Sequence, residues 1–564
     1  MALLAVVVIS CLMLNIGFFF GRTCCALYFW LSVAMVSGVM CVSSKKKSTT
    51  FLLVILSLLV VSGYMFSYLT SDSQRCHAVV QRFLVSGWNP VLQNTPDRLA
   101  DIACYDTGGV SFYHMLYLPK VTGYVGAMVA MATGLWLGDA FLGNLMAVVI
   151  VMTALRFCRC HWGVVGWRAW VFAAFLFHPT HYISVFTGQT VDYVVYAMMI
   201  TMVLACGNWY HSHGIDDLAV LVLSGVLALS VKANAYALVF LVFIGVMTTD
   251  GRRDIRVRRW MLFAIAAALI LMASPLLTSW ITRGSPFFPS HSFDASQKVM
   301  ELCADMTGND DALQMGYLAR IVYAWFSKKL AVAGCAWWYG KTDFAPIFNV
   351  AVEGKGAAFT LLMFVSIICL TFSRKSKVWI WWSLLAVSCV LFPKRYIGYP
   401  RYVPQVWVLP VMAFYQFAFT RDMGRVGRIV RMAVPLLLLC YVLPFYARTG
   451  LNYMRSLTLE KIRQERLEQM SLSKDAYYLA QETRYWIYGE RAKLAGVDMR
   501  TDGSGLGVNV DEEYFMYSLN NDDRFVFLPK GVFPQFNSVS DFKMNPWREY
   551  GQTLLHPPRP LWDR

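Results

Sequence analysis

Charge is what this chain has least of: only 15% of its 564 residues are Asp, Glu, Lys or Arg, against 57% hydrophobic. That balance excludes a soluble protein of several ordinary domains and points to a polytopic membrane protein. Local catalytic signatures are missing as well. The sequence has no HExxH, no CxxC pair, no P-loop, no glycine-rich dinucleotide fingerprint and no Gly-x-Ser-x-Gly, which removes the common marks of zinc proteases, nucleotide enzymes and serine hydrolases. There is no internal repeat and no low-complexity tract. Acidic residues are scarce relative to basic ones, and the net charge is +16.

The excess of positive charge is not spread as a nucleic-acid surface would be. It gathers in short connections between apolar runs: Lys45-Lys46-Lys47, then 156–159, 252–259, 374–377 and 421–431. Such spacing follows the positive-inside rule, so no nucleic-acid partner is expected. Most of the 14 cysteines lie inside apolar runs and serve as small hydrophobes. Cys76 with Cys104 and Cys303 with Cys335 fall in outward loops, where bridged and free states are both open.

About 20 apolar residues cross a bilayer as a helix, and that length gives roughly thirteen candidate spans. They fall near 2–20, 24–43, 51–70, 137–157, 164–182, 191–208, 217–231, 233–248, 260–281, 357–373, 378–393, 402–420 and 430–447. The first reads as a retained anchor, since it has neither a basic leader nor a small-residue cleavage site. With the amino terminus inside, alternation brings all five basic clusters to one side, provided 217–248 is two short helices and not one long one. The fold expected is therefore an all-α polytopic membrane protein of about 13 transmembrane helices, with outer loops at 71–136 and 282–356. Residues 1–50 make two amino-terminal spans, 51–447 the core, and 448–564 a small outward α/β segment. Helices are expected there at 453–472 and 474–495, with a strand and turn at 524–536, and the pieces 121–135 and 317–330 are expected to lie along the membrane interface.

Charged residues at span ends are costly unless solvated, paired or used. Asp72 directly follows the third span and His77 lies five residues on; Asp72 fits a general base toward a hydroxyl arriving from outside, though spacing alone favours a helix cap. Lys120, Lys232, Lys394, Arg395 and Arg401 are cations on the side that the positive-inside bias disfavours. They suit a lipid phosphate, or simply snorkelling toward headgroups. Asp192 opens a span at the outer face, either as a cap or toward the same cavity.

Several stretches together resemble the GT-C superfamily of integral-membrane glycosyltransferases. Asp72 to His77 followed by Gly87-Trp88-Asn89-Pro90 is similar to that group's first outer loop. Leu118-Pro119-Lys120 with Tyr124 and Ala127, Gln189 to Asp192, Ser230-Val231-Lys232, Gly284 to Pro289 and Arg401 to Pro404 resemble further elements. The resemblance covers roughly 51–447, with Cys76 standing where the group usually has tyrosine. It implies a polyprenyl-phosphate sugar donor in the bacterial inner membrane and inversion by an acceptor hydroxyl of a glycan or glycolipid of the cell envelope. In that scheme Asp72 is the base, Lys120 and Arg401 hold the donor phosphate, and Lys232 and Arg395 assist. His77 and Asp192 stand as further site residues. No cofactor and no obligatory metal are expected. A transporter and a lipid-linked glycan polymerase or ligase are the rival readings.

Overall fold

A computed structural model of the chain describes residues 1–42, 46–66, 78–94, 119–134, 140–177, 191–232, 235–251, 254–284, 356–371, 378–391 and 403–420. It also describes four strands between 477 and 529 and a few isolated positions. The described residues are mostly helical. In chain order the helices are α1 (Ala2–Phe19), α2 (Ala26–Val42), α3 (Lys46–Phe66), α4 (Ala78–Val85), α5 (Val121–Thr133), α6 (Ala140–Trp162), α7 (Trp167–Leu176), α8 (Val191–Ser212), α9 (Ile215–Val231) and α10 (Tyr236–Val246). After a π-helical turn at Met247–Gly251 come α11 (Ile255–Leu271), α12 (Ala273–Arg283), α13 (Gly356–Thr371) and α14 (Val378–Val390). A 3-10 turn at Pro404–Trp407 then leads into α15 (Val408–Thr420).

Three described helices are long and apolar enough to cross a membrane: α1, the Phe141–Trp162 part of α6 and the Tyr193–Ser212 part of α8. The pair α11 and α12 adds a fourth if its 53° bend lies within one span. Other expected runs appear as apolar helices of 10–17 residues. The last expected run, 430–447, is described only at isolated positions. Helix α8 is the axis of the bundle, with 94% of its span buried against neighbours, chiefly α6 and α9.

The run expected as a span over 260–281 is found as two helices with a 53° bend between them. Pro275 has no N–H to give the carbonyl of Leu271, and its ring crowds that carbonyl, so the helix breaks at Met272. Helix α5 is covered by its neighbours: every residue from Val121 to Ala130 is buried. Glycines explain it: a Cβ at Gly123 would meet the Val80 side chain and one at Gly126 the Gln81 amide. Small residues at both positions let α4 lie directly on α5.

The expected pair of helices over 217–248 is found. Ser230 closes the last turn of α9, Lys232 is extended, and α10 starts after Ala235. A Cβ on Gly225 would stand 2.6 Å from the ring of Phe243. In one continuous helix, 18 positions at 1.5 Å each would separate these residues by about 27 Å. Their contact, centred on the break, means that the chain doubles back.

The helix ends sort into two sets. At one end, Arg156 near the close of α6 pairs with Asp217 at the start of α9, N–O 2.6 Å. Ser212 of α8 donates to the same carboxylate at 2.7 Å. The indole of Trp209 donates to Asp250 at 2.8 Å, Tyr210 bonds Thr249, and Trp162 donates to Gln416 of α15 at 2.8 Å. The amino terminus lies by Asp216 and Asp217. These are ends that the basic clusters flank in sequence, and we call this the basic end.

At the opposite end, Asn89 reaches the turn between α1 and α2, Trp407 donates to the Phe175 carbonyl of α7 at 2.6 Å, and Tyr196 of α8 donates to the Leu176 carbonyl. Between residues 477 and 529 the chain forms a four-stranded sheet in the order β2-β1-β4-β3, with β1 Tyr477–Leu479, β2 Met499–Arg500, β3 Tyr514–Asn520 and β4 Arg524–Pro529. Strands β3 and β4 are an antiparallel hairpin, β1 is antiparallel to β4, and β1 pairs parallel with β2. Strand β1 replaces part of the helix expected at 474–495. Its Tyr477-Tyr478-Leu479 run favours a sheet when β4 is there to pair with it.

Candidate functional site

The site builds up from the Gly87-Trp88-Asn89-Pro90 element. Helix α4 ends in a Schellman motif: Trp88 N–H donates to the Phe83 carbonyl at 2.9 Å and Gly87 N–H to the Leu84 carbonyl at 3.2 Å. Gly87 takes φ +93°, a conformation glycine adopts without a Cβ penalty. The accompanying apolar contact is Trp88 edge-on to Phe83, ring centroids 6.0 Å apart.

Asn89 then fastens the loop to the bundle. Its amide nitrogen donates to the Phe18 carbonyl at 2.8 Å and the Arg22 carbonyl at 3.0 Å. Its amide oxygen accepts from Val91 N–H and Leu92 N–H, each at 3.1 Å. The carbonyl of Pro90 accepts from Ser274 of α12 at 2.9 Å. Because the proline break starts α12 at Ala273, Ser274 sits where it can reach that carbonyl. One short sequence therefore ties α4, the α1–α2 turn and α12 together.

The indole of Trp88 is fully buried, its N–H donates to the Gln93 carbonyl at 2.9 Å, and its face is turned to Lys120. The ammonium of Lys120 lies 6.0 Å from the Trp88 ring centroid and donates to the Leu116 carbonyl at 3.0 Å. Lys120 precedes α5, outside any helix, and is only 2% exposed. Burial disfavours the ammonium form and pulls its pKa down to about 7. One turn further along α5, Tyr124 is buried with its hydroxyl toward Ser274, and its ring packs on Phe18 at 5.7 Å.

Lys232 is half-buried at the end of α9, and α9 packs against α5. The two described cations among the expected site residues thus belong to one end of the bundle, opposite the basic end. The backbone of Asp192 opens α8 there. Asp72, His77, Lys394, Arg395 and Arg401 lie outside the described residues, as do Cys76, Cys104, Cys303 and Cys335. Among the described residues no group of three or more His, Cys, Asp or Glu side chains could hold a metal ion.

Sequence reasoning missed how Trp88, Tyr124 and Ser274 are used. The first two were visible as motif letters, but the facing of Trp88 on Lys120 depends on the Schellman turn. Ser274 carried no signal beyond its neighbour Pro275. Neither a family model nor a curated protein matches this chain.

Proposed function

We propose that the chain is an inverting membrane glycosyltransferase that moves a sugar from a polyprenyl-phosphate donor to an acceptor hydroxyl of a cell-envelope glycan or glycolipid. In this reading the bundle spans a bacterial inner membrane with about 13 helices, and the reaction takes place on the outer side. The observation that carries it is Lys120: a buried lysine, braced by Trp88, at the end of the bundle opposite the arginine-rich one. A cation kept from water and away from the positive-inside face suits an anion that arrives with a lipid.

The chemistry follows from that placement. The acceptor oxygen attacks the anomeric carbon, the bond from that carbon to the phosphate oxygen breaks, and polyprenyl phosphate leaves with the electron pair. Asp72 takes the hydroxyl proton. Lys120 and Arg401 offset charge growing on the leaving phosphate, with Lys232 and Arg395 in support. His77 and Asp192 complete the set, and cations in these numbers meet a monophosphate without a divalent metal.

The test is sugar transfer from short-chain polyprenyl-phosphate sugars in membranes holding wild type, Asp72→Asn or Lys120→Ala. Loss of transfer in both variants supports the proposal. Unchanged turnover in Asp72→Asn eliminates the proposed base. Activity that collapses with chelator and returns with divalent cation refutes the metal-free part.

A further inference from the structure

We propose that the turn joining α6 to α7, at the basic end, is a docking site for an anionic phospholipid headgroup. The cations of this end are not equivalent. Arg156 is neutralised by Asp217, and Arg256 is held by Asp254 at 2.7 Å. Arg159 on the last turn of α6, Arg168 on the first turn of α7 and Arg258 and Arg259 on α11 are all exposed without a carboxylate partner among the described residues, but only the first two stand beside exposed indoles.

Between and beside them the turn presents large apolar groups to the outside. Val165 is 65% exposed, Trp167 67% and Trp170 56%. The guanidinium of Arg168 stacks 5.5 Å from the Trp167 ring centroid. Trp162, only a few residues earlier, is buried and engaged with Gln416, so the chain separates one inward indole from two outward ones. Gly163 at φ +62° and Gly166 at φ +69° make the reversal tight.

Exposed indoles beside guanidinium groups with no carboxylate partner among the described residues fit the membrane interface. The indole is apolar with one polar edge and settles at headgroup level. Arginine meets a phosphate through two parallel N–H bonds. The occupant is a lipid and not a soluble anion because α6 is itself apolar and long enough to cross a bilayer, which brings its end to the headgroup layer. This inference needs only the membrane character of the bundle and is independent of the transferase reading.

The test uses the purified full chain in detergent, with phosphatidylglycerol and phosphatidylcholine as probes and retained lipid read by native mass spectrometry. Phosphatidylglycerol should be retained in preference. Arg159→Gln with Arg168→Gln should cut that preference roughly tenfold or more, in line with two basic residues at a charged surface. Trp167→Ala, which keeps the charge, should weaken retention of both lipids. Arg258→Gln with Arg259→Gln removes equal charge from α11 and should leave the preference intact. Three results would overturn the site: no preference in wild type, equal loss in both double variants, or full displacement by inorganic phosphate.

Discussion

Replacing Asn89 tests how the loop after α4 is held. Four hydrogen bonds converge on this one side chain: two given, to the carbonyls of Phe18 and Arg22, and two received, from Val91 and Leu92. Asn89 is 5% exposed, so its loss strands buried backbone groups. At about 1 kcal/mol of net stability per bond, losing all four in Asn89→Ala should cost on the order of 4 kcal/mol. Asn89→Asp is the sharper probe. It preserves shape and both accepted bonds but turns a carboxylate oxygen onto two carbonyl oxygens. The isosteric change should therefore be at least as destabilising as alanine at pH 8.

The pH dependence of that variant has a definite sign. The carboxyl is held above its unfolded pKa, so its proton is bound more tightly in the folded state. Relative to wild type, stability should recover as pH falls, once the protonated carboxyl can donate to one carbonyl. Thermal unfolding in detergent at pH 8 and pH 5, read as the difference from wild type, measures both effects. Asn89→Asp as stable as wild type at pH 8 would refute the role given to the amide nitrogen.

Other substitutions probe separate parts of the structure. A phosphate should restore the ammonium of Lys120, whose pKa burial lowers to about 7; donor binding at pH 8 should then take up a proton and weaken as pH rises. Calorimetry in buffers of different ionisation enthalpy reads the uptake, which should vanish in Lys120→Met. Gly225→Val forces a side chain into the Phe243 ring and should cost roughly 1–3 kcal/mol, with Phe243→Ala partly rescuing the pair in a double-mutant cycle of unfolding midpoints. Asp217→Asn leaves Arg156 without its partner; because that arginine is 46% exposed, the cost should be only about 1 kcal/mol and should shrink at high salt. A cysteine at position 72 should be labelled by an impermeant reagent from the outside and one at position 46 should not; labelling of both from one side contradicts the proposed topology.

What could be read in the sequence divides along a physical line. Apolar runs announce helices because burial needs length, so α1, α2, α8 and α9 were legible to within a few residues. The doubling back after Lys232 was legible as well, through the sidedness of arginine clusters far from it. Packing was not. Val121 to Thr133 looks interfacial by composition, and only the glycines facing α4 reveal that it is covered. The α11–α12 bend hangs on a single Pro275, which composition averages away. Tyr477 to Leu479 lay within an expected helix, since pairing with a strand 45 or more residues distant is a non-local fact. Of the candidate site, the common end of Lys120 and Lys232 was legible from charge placement, whereas the brace of Trp88 depends on a turn conformation that its letters do not spell.

The glycine and phenylalanine that meet across the α9–α10 turn bear on more than two helices. A serpentine chain obeys parity: each reversal decides the compartment of everything synthesised after it. In the proposed topology, were this hairpin to open into a single rod, every later connection, including the one carrying Arg401, would emerge on the opposite side. A variant too bulky at Gly225 would thus threaten the orientation of half a protein, and its signature would be a mixed population of topologies.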